Sequence, residues 1–208
     1  MSGRRENNKV ERRERIRCAT LDILAEKGFE AATTREIARR AGVAAGTIFL
    51  YAENKVDLFL MSLNDELDRL NDAAFAGLEG DQPLIEQIIV FLRPRYEFWS
   101  RHPDLYRAST GDRAAYSVVE TSQALAPGIG RRAHAQQRLG EILRRGSANE
   151  EVRPELDIDG LARIILDVYL TELRFWLSAD SRDIEDGLQK LRYLLNMIVA
   201  SIVEGRSA

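Results

Sequence analysis

The chain has 208 residues, of which 45% are hydrophobic, so it can bury a substantial core and is not a disordered tail. A single cysteine, Cys18, excludes an internal disulfide framework and fits a reducing cytoplasm, where we expect the protein to be. The formal net charge of −3 hides an uneven distribution, because residues 1–57 hold 12 Lys and Arg against 9 Asp and Glu while the remainder holds 18 against 24. We therefore expect a basic N-terminal part, suited to binding phosphate, on an acidic body.

The N-terminus and the apolar runs argue against export and membrane insertion. Arg and Glu alternate through the first 17 residues and no apolar segment follows them, which is unlike a signal or transit peptide. The longest apolar runs, such as IIVFL at 88–92, are far shorter than the roughly 20 residues that span a bilayer. We predict a soluble protein with no membrane partner.

Apolar residues recur at helical intervals and no segment is typical of a strand, so we predict an all-α fold of about nine helices. The first helix is expected over about Val10–Lys27, ending at Gly28 in a left-handed conformation. Thr33 and Glu36 form the pattern of a capping box that opens a short second helix. Gly42 is expected to close that helix in the same left-handed way.

A third helix is predicted over about Ala44–Tyr51, and Asn54 with Asp57 is expected to cap a fourth. Two short helices joined by a tight turn containing Gly, after a longer helix, form a helix-turn-helix unit. We therefore divide the chain into a helix-turn-helix domain with a basic N-terminal arm, residues 1–57, and a larger helical domain, residues 58–208.

The second domain is predicted from its helical periodicity and its breaks. Pro94 is expected to kink or split the segment that contains it. The predicted helical segments cover about 55–78, 82–101, 104–109, 113–124, 128–146, 158–178 and 183–203.

The segment TTREIARRAGVAAGTIFLYAENKVDLF, preceded by AEKGFEAA, resembles the N-terminal signature of the tetracycline-repressor-like (TetR) family. The shared features are the Gly after the first helix, the Thr-capped second helix, the Ala-Gly-Val turn, the Gly-Thr pair, an aromatic cluster and the Asn-Lys entry to the fourth helix. The match covers roughly residues 12–60, whereas the body is similar only in length, helical content and the position of the VRPELD loop. The resemblance implies a helix-turn-helix domain followed by a helical bundle for ligand binding and dimerisation.

The resemblance also implies which residues meet a double-stranded DNA operator. The start of the second helix and the start of the fourth would bind phosphates, while the third helix would enter the major groove with its aromatic residues beside the backbone. The implied DNA-binding residues are Thr33, Thr34, Arg35, Ala44, Ala45, Gly46, Thr47, Phe49, Tyr51 and Lys55.

Three positions depart from the family pattern. Ala44 replaces the frequent Ser or Thr cap of the recognition helix, Phe49 replaces a common Tyr, and Ala52 replaces a packing Phe. A nearly apolar recognition surface can still read thymine methyl groups while cations supply affinity. Our hypothesis is that the operator is met by few direct base contacts, supplemented near the minor groove or backbone by Arg4, Arg5, Arg12 and Arg13.

The last two predicted helices carry broad apolar stripes, which are expected to form a four-helix homodimer interface. Such stripes are also compatible with simply covering the core of the body itself. A dimer would place two recognition helices about 34 Å apart, so the operator should be palindromic. The predicted interface residues are Leu161, Ile165, Val168, Leu188, Leu191, Leu195, Ile198 and Ile202.

Aromatic residues in the body suggest a site for an unidentified small-molecule effector, although aromatic residues at helical spacing are more often core. The effector would shift the population between two spacings of the recognition helices through the fourth helix, and repression is the default mode of action. The predicted lining residues are Leu92, Tyr96, Trp99, Tyr106, His134 and Tyr169.

Two rival functions are weaker. Two His and one Cys form no recognised metal or nucleophile spacing, and no glycine-rich nucleotide loop or G-x-S-x-G occurs, so we predict no enzyme, catalytic residue, cofactor or metal. The second rival is a helical interaction protein that retains the helix-turn-helix shape without binding an operator.

Overall fold

A computed structural model describes residues 2–110, 125–148 and 155–203. Over these ranges the chain forms nine α-helices and no strand, as predicted for an all-α fold. The predicted helix over 113–124 lies outside the described residues. The helices are α1 (Ser2–Ala31), α2 (Thr34–Arg40), α3 (Ala45–Ile48), α4 (Lys55–Ala76), α5 (Leu84–Arg101), α6 (Pro103–Thr110), α7 (Leu125–Ala148), α8 (Ile158–Ser178) and α9 (Ile184–Val203).

The chain divides into two compact units, and the division falls inside α4. The N-terminal unit comprises the described residues up to Leu67 and those from His102 to Gly130, and the body unit comprises Asp68–Arg101 and the described residues from Arg131 onward. The sequence had placed the boundary at residue 57, at the start of α4. The difference arises because α4 is one uninterrupted helix and its first half packs with α1.

Helix α1 begins at Ser2 rather than near Val10, so the basic segment expected as a separate arm is its first part. Gly28 has φ 76° and ψ 170°, which is non-helical. The positive φ agrees with the prediction, but the extended ψ places Gly28 in a region that is essentially open to glycine only. The long helical run of α1 therefore ends at Gly28, and a short helical turn follows to Ala31.

The core of the N-terminal unit forms where α1 packs on α2 and α2 packs on α3. Ile16 and Leu24 from α1, Ile37 from α2 and Ile48 from α3 are all fully buried. Ile16 and Leu24 are eight residues apart and so lie on one face of α1, which is its apolar face. This core holds the short helices α2 and α3 in place.

A buried ion pair joins α1 to the first half of α4. Arg17 donates to Glu66, and both side chains are almost fully buried. Arg17 also donates from Nε to Glu14 Oε2 over 2.9 Å, and its hydrogen bonds to Glu14 raise the pKa of the guanidinium. A second pair, from Arg13 Nε to Asp65 Oδ2 over 2.5 Å, lies beside it at the surface.

In the body unit, α5 packs against α9 and α8 around buried aromatic rings. The Tyr96 ring meets the rings of Tyr169 and Trp176 edge-on, with centroids 5.7 and 5.0 Å apart. Gly187 permits this packing, because a Cβ there would lie 2.9 Å from both Trp176 Cδ1 and Tyr96 Cε1. Pro94 lies within α5 and does not split it.

Among the described residues, none of the helices combines the length and hydropathy needed to cross a bilayer.

The buried ion pair yields a stability prediction. Replacing Arg17 with Met removes the buried guanidinium that donates to Glu66, so we expect the free energy of unfolding to fall by about 3 kcal/mol. The Arg13→Ala variant is the matched control, because its pair is largely exposed and should cost less than about 1 kcal/mol. Urea unfolding measures both, and equal losses would contradict the burial argument.

Candidate functional site

The start of α2 is held by the predicted capping box. Thr33 has extended backbone angles, and its Oγ1 accepts a hydrogen bond from the Glu36 backbone N over 3.2 Å. Thr33 Oγ1 also donates to Glu36 Oε2 over 3.1 Å. Hydrogen bonds from Lys27 and Thr33 lower the pKa of Glu36, so its carboxylate stays ionised at the helix N-terminus.

The turn between α2 and α3 has the geometry predicted for Gly42. The Gly42 N donates to Arg39 O over 3.2 Å, and the Val43 N donates to Ala38 O over 3.0 Å. These two bonds form a Schellman motif, with Gly42 at φ 65° as its left-handed residue. The motif ends α2 sharply and starts α3 three residues later.

Helix α3 is short and carries few polar side chains. Ala44 is its N-cap and makes no side-chain capping bond, as the sequence indicated. The helix spans only Ala45–Ile48, and the predicted continuation to Tyr51 is a series of hydrogen-bonded turns. The chain bends there because the Leu50 and Tyr51 backbone N–H groups donate to carbonyls only three residues back.

The exposed surface of α3 is made of small and apolar groups. Ala44, Ala45 and Gly46 are exposed, and Ile48 is buried as the anchor of the helix. Phe49 is 59% exposed and Leu50 is 77% exposed. Small side chains permit close approach to another backbone or base edge, while the two large apolar side chains remain in contact with solvent.

The cations of the N-terminal unit fall into two groups. Arg40 forms a two-bond ion pair with Glu26, and Lys27 pairs with Glu36. Arg35 and Arg39 are exposed on α2 and have no ion pair within the part of the chain that the structure describes. Because they are four residues apart, they lie on one face of α2.

Arg39 and Arg15 are site candidates that the sequence analysis missed. The spacing of Arg39 to Arg35 is a signal in the sequence that both lie on one helix face. That Arg39 has no ion pair, however, depends on Glu26 being paired with Arg40. Arg15 Nη1 lies 3.4 Å from where a Cβ on Gly42 would be, so this guanidinium lies beside the turn that precedes α3. No local pattern indicates that long-range contact.

Lys55 is held by α1 rather than projecting freely. Its Nζ donates to Phe29 O over 2.8 Å and to Glu30 O over 3.2 Å, and it lies 4.4 Å from the centroid of the Phe29 ring. The ammonium has three N–H donors, so one remains for a phosphate. Its DNA contact stays a prediction, alongside a structural role that the sequence did not indicate.

The predicted supplementary arginines are divided by the structure. Arg13 is paired with Asp65, and Arg12 is half-exposed. The side chains of Arg4 and Arg5 lie outside the described residues.

Comparison with known proteins identifies the family of this chain. Residues 16–61 match the family described as "Bacterial regulatory proteins, tetR family". The HTH-type transcriptional repressor KstR of Rhodococcus jostii is 33% identical over 177 residues, which cover 84% of this chain and 77% of that protein.

The chain belongs to the TetR family of transcriptional regulators.

Solved structures share the fold of this TetR-family regulator. FadR of Bacillus halodurans, a fatty acid degradation regulator, aligns with a TM-score of 0.67 at 20% identity, covering 88% of this chain and 96% of that one. FadR of Thermus thermophilus in complex with lauroyl-CoA aligns with a TM-score of 0.63 at 24% identity, covering 88% and 92%. The N-terminal helix-turn-helix and the helical body of the regulator are therefore those of the family.

The predicted effector-lining residues belong to both units of the regulator. Leu92, Tyr96 and Tyr169 are fully buried in the body unit, and Trp99 is nearly so, with its ring against Phe98. His134 is half-exposed and lies between Asp68 and Asp72, 3.4 Å from the first and 3.0 Å from the second. Tyr106 belongs to the N-terminal unit.

The predicted dimer residues of the regulator are mostly in the interior of its own body. Leu161, Ile165, Leu188, Leu191 and Leu195 are buried within the single chain, which is the alternative that the apolar stripe left open. Val168 and Ile198 are half-exposed, and the side chain of Ile202 lies outside the described residues. The large exposed apolar side chains of α8 and α9 are Ile164, Phe175, Tyr193 and Met197.

The bare N-cap of α3 gives a direct prediction. Replacing Ala44 with Ser supplies an oxygen for an uncapped backbone N–H, so we expect the free energy of unfolding to rise by about 0.5–1 kcal/mol. The control is Ala45→Ser, one residue into the helix, where Ser is a poorer helix former than Ala and a small loss is expected. If urea unfolding shows the same change for both variants, α3 is not limited by its cap.

Proposed function

We propose that this regulator represses transcription by binding a palindromic operator as a homodimer in the cytoplasm, and that a small molecule bound in the body unit releases it. The observation that carries the proposal is the exposed small-residue surface of α3 next to two unpaired arginines on α2. On and beside α2, Lys27 and Arg40 are neutralised by Glu36 and Glu26, whereas Arg35 and Arg39 are available to phosphates.

The charges support binding to the DNA backbone on either side of α3. Arg35 lies in the first turn of α2, where the helix N-terminus adds a partial positive charge that favours phosphate. Arg15 lies beside Gly42 at the opposite end of α2. Together with the remaining donor of Lys55, these groups can hold the backbone while α3 occupies the major groove.

The apolar surface of α3 supports a particular kind of base reading. Ala44, Ala45 and Gly46 offer methyl groups and backbone, which match the methyl group of thymine and leave little hydrogen-bonding capacity. Sequence preference would then come from a few thymines and from DNA shape, with most of the affinity supplied by phosphate contacts.

The exposed apolar side chains of α8 and α9 support a homodimer. Ile164 and Phe175 are eleven residues apart, which is three turns of helix, and Tyr193 and Met197 are one turn apart. Each pair therefore lies on one helix face. Tyr193 also lines an open groove of about 490 Å³, together with Leu194 and charged residues of both helices. We propose this face, including Val168, as the interface, in place of the buried leucines.

The body supports a largely apolar effector. FadR of Thermus thermophilus, which shares this fold, was solved in complex with lauroyl-CoA, and the body of this chain has buried aromatic and aliphatic side chains on α5, α8 and α9. Complete release from an operator requires about 5.5 kcal/mol of differential affinity between two conformations. Helix α4 is the proposed route, because its first half pairs with Arg17 of α1 and its second half pairs through Asp72 with Arg138 of α7.

Operator binding is tested with the two unpaired arginines. We expect Arg35→Ala and Arg39→Ala each to weaken binding to every DNA sequence, and to reduce the slope of log affinity against log salt by about 2, because each variant loses one phosphate contact per subunit and so two per dimer. Fluorescence anisotropy with the DNA that flanks the regulator's own gene measures both quantities.

The control for this experiment is Arg40→Ala, since Arg40 is the next residue on α2 and already pairs with Glu26. Its salt slope should stay that of the unmodified protein. Unchanged slopes for all three variants would remove α2 from the interface. An unmodified protein that binds no DNA would favour the rival function of a helical interaction protein.

The dimer face is tested by introducing charge. Phe175 and Tyr193 are 65% and 66% exposed, and we expect Phe175→Glu with Tyr193→Glu to give a folded monomer with greatly reduced operator affinity. Val90→Glu is the matched control, because Val90 is an exposed apolar residue of α5 outside this face. Sedimentation analysis measures the mass, and a double variant that remains a dimer would place the interface elsewhere.

A further inference from the structure

Arg95 is a buried cation with no acidic partner. Its side chain lies on α5 and the residue is only 5% exposed. Its Nε donates to Asn71 Oδ1 over 2.8 Å, and its guanidinium carbon lies 5.6 Å from the centroid of the Tyr169 ring. No carboxylate oxygen lies within ion-pairing distance of it in the ranges that the structure describes.

The other arginines of the body show that acidic partners are available. Arg93, Arg138, Arg144 and Arg192 are each more exposed than Arg95, and each pairs with a carboxylate. Other exposed arginines of the body, among them Arg163 and Arg174, have no ion pair in the ranges that the structure describes, but water screens their charge. Arg95 differs from them because it is buried, where an uncompensated charge is most unfavourable.

Further hydrogen-bond donors in the same region also lack acceptors. Asn71 is fully buried, and its Nδ2 has no hydrogen-bond partner while its Oδ1 accepts from Arg95. Tyr96 is fully buried, its ring contacts the Tyr169 ring that Arg95 faces, and its hydroxyl has no partner. Burial raises the pKa of Tyr96, so the hydroxyl keeps its proton. The region therefore presents donors without matching acceptors.

We propose that Arg95 and Asn71 bind the carboxylate of an otherwise apolar effector, with Tyr96 as an additional donor. This inference rests on the proposed function and specifies the chemical class of the molecule that would release the regulator. The planar guanidinium presents paired N–H groups that match the two oxygens of a carboxylate, and the Asn71 amide supplies one more donor to the same group. The buried apolar and aromatic side chains of α5 and α8 suit the remainder of such a molecule.

A full negative charge is favoured over a neutral carbonyl by the electrostatics. A thioester or alcohol oxygen accepts a hydrogen bond but leaves the buried positive charge uncompensated, whereas a carboxylate neutralises it. The effector is therefore inferred to be a free carboxylic acid, or a thioester whose acyl part carries a second carboxylate, rather than a simple acyl thioester.

The test compares matched probes on the full-length protein by isothermal titration calorimetry. Dodecanoate, dodecan-1-ol and lauroyl-CoA share a linear chain and differ in the terminal group, and the fused-ring acid lithocholate tests a different apolar shape. We expect at least one of the two acids to bind, and its affinity to exceed that of dodecanol and lauroyl-CoA by about tenfold or more, which is about 1.4 kcal/mol.

The variants identify the residue responsible. Arg95→Met combined with Asn71→Leu removes both polar partners together, so neither is left without the other, and the preference for the acid should disappear. Arg95→Lys keeps the charge but not the planar fork, and should keep a reduced preference. Arg93→Met is the matched control, since Arg93 is two residues away on α5 and pairs with Glu185; it should bind the acid as the unmodified protein does.

A stability measurement separates this role from a purely structural one. If Arg95 exists to bind a ligand, the ligand-free double variant should melt at the same temperature as the unmodified protein or higher, and the acid should raise the melting temperature only of the unmodified protein. Arg95 would instead have a structural role if two results were found together: the double variant is clearly less stable, and Arg95→Lys binds the acid with the same affinity as the unmodified protein.

The outcomes also distinguish this inference from the proposed function. Failure of both acids to bind, or equal affinity for acid and alcohol, would overturn the carboxylate assignment whether or not the protein binds its operator. Operator release is measured separately by anisotropy. If lauroyl-CoA releases the operator and the Arg95 variants do not change that release, the proposed ligand-released repressor stands and the carboxylate assignment is rejected. If an acid binds through Arg95 but does not release the operator, the carboxylate site stands and release by that ligand is rejected.

Discussion

The presentation of α3 depends on the left-handed turn at Gly42. Its two backbone hydrogen bonds close α2 onto Ala38 and Arg39, and they allow the next helix to begin after only a few residues. A residue with a Cβ would be strained at this φ, and the Cβ itself would meet the Arg15 guanidinium. The turn thus determines the angle at which α3 leaves α2, and it places a cation beside that exit.

The features that were predicted correctly from the sequence are the local ones. These features are the caps at Thr33 and Asn54, the Gly42 turn and the bare N-cap at Ala44. Each depends only on residues within a few positions of one another, so a short segment of sequence is enough to predict it. The length of α1 was underestimated, because alternating Arg and Glu look like a solvated segment whether or not they are helical. The division of the two units inside α4 differs from the predicted boundary at residue 57, since no break in the sequence marks it.

Features that depend on distant partners could not be predicted in the same way. The contact of Lys55 with the end of α1 joins residues 26 positions apart, and the availability of Arg39 follows from Arg40 taking Glu26. The apolar stripe of α9 predicts that one face of this helix is buried. It does not indicate whether that face packs against the same chain or against a second one. A leucine at position 188 or 191 packs equally well in its own core or against a second chain, and the fold chooses the first by placing α5 and α8 against that face.

The distribution of unmatched charge links the two proposed sites by one physical argument. Among the described residues, many arginines pair with a carboxylate, at modest energetic benefit where the pair is exposed. An arginine left without one loses that benefit, slightly at the surface of α2 and strongly in the interior beside Asn71. In the interior, a stable fold has little reason to retain such a position unless the missing anion comes from another molecule. For Arg35 and Arg39 that anion would be the DNA backbone, which is present only when the operator is bound. For Arg95 it would be the carboxylate of the effector. Each anion would then stabilise the conformation to which it binds, in both cases by neutralising an arginine that has no carboxylate partner within the chain.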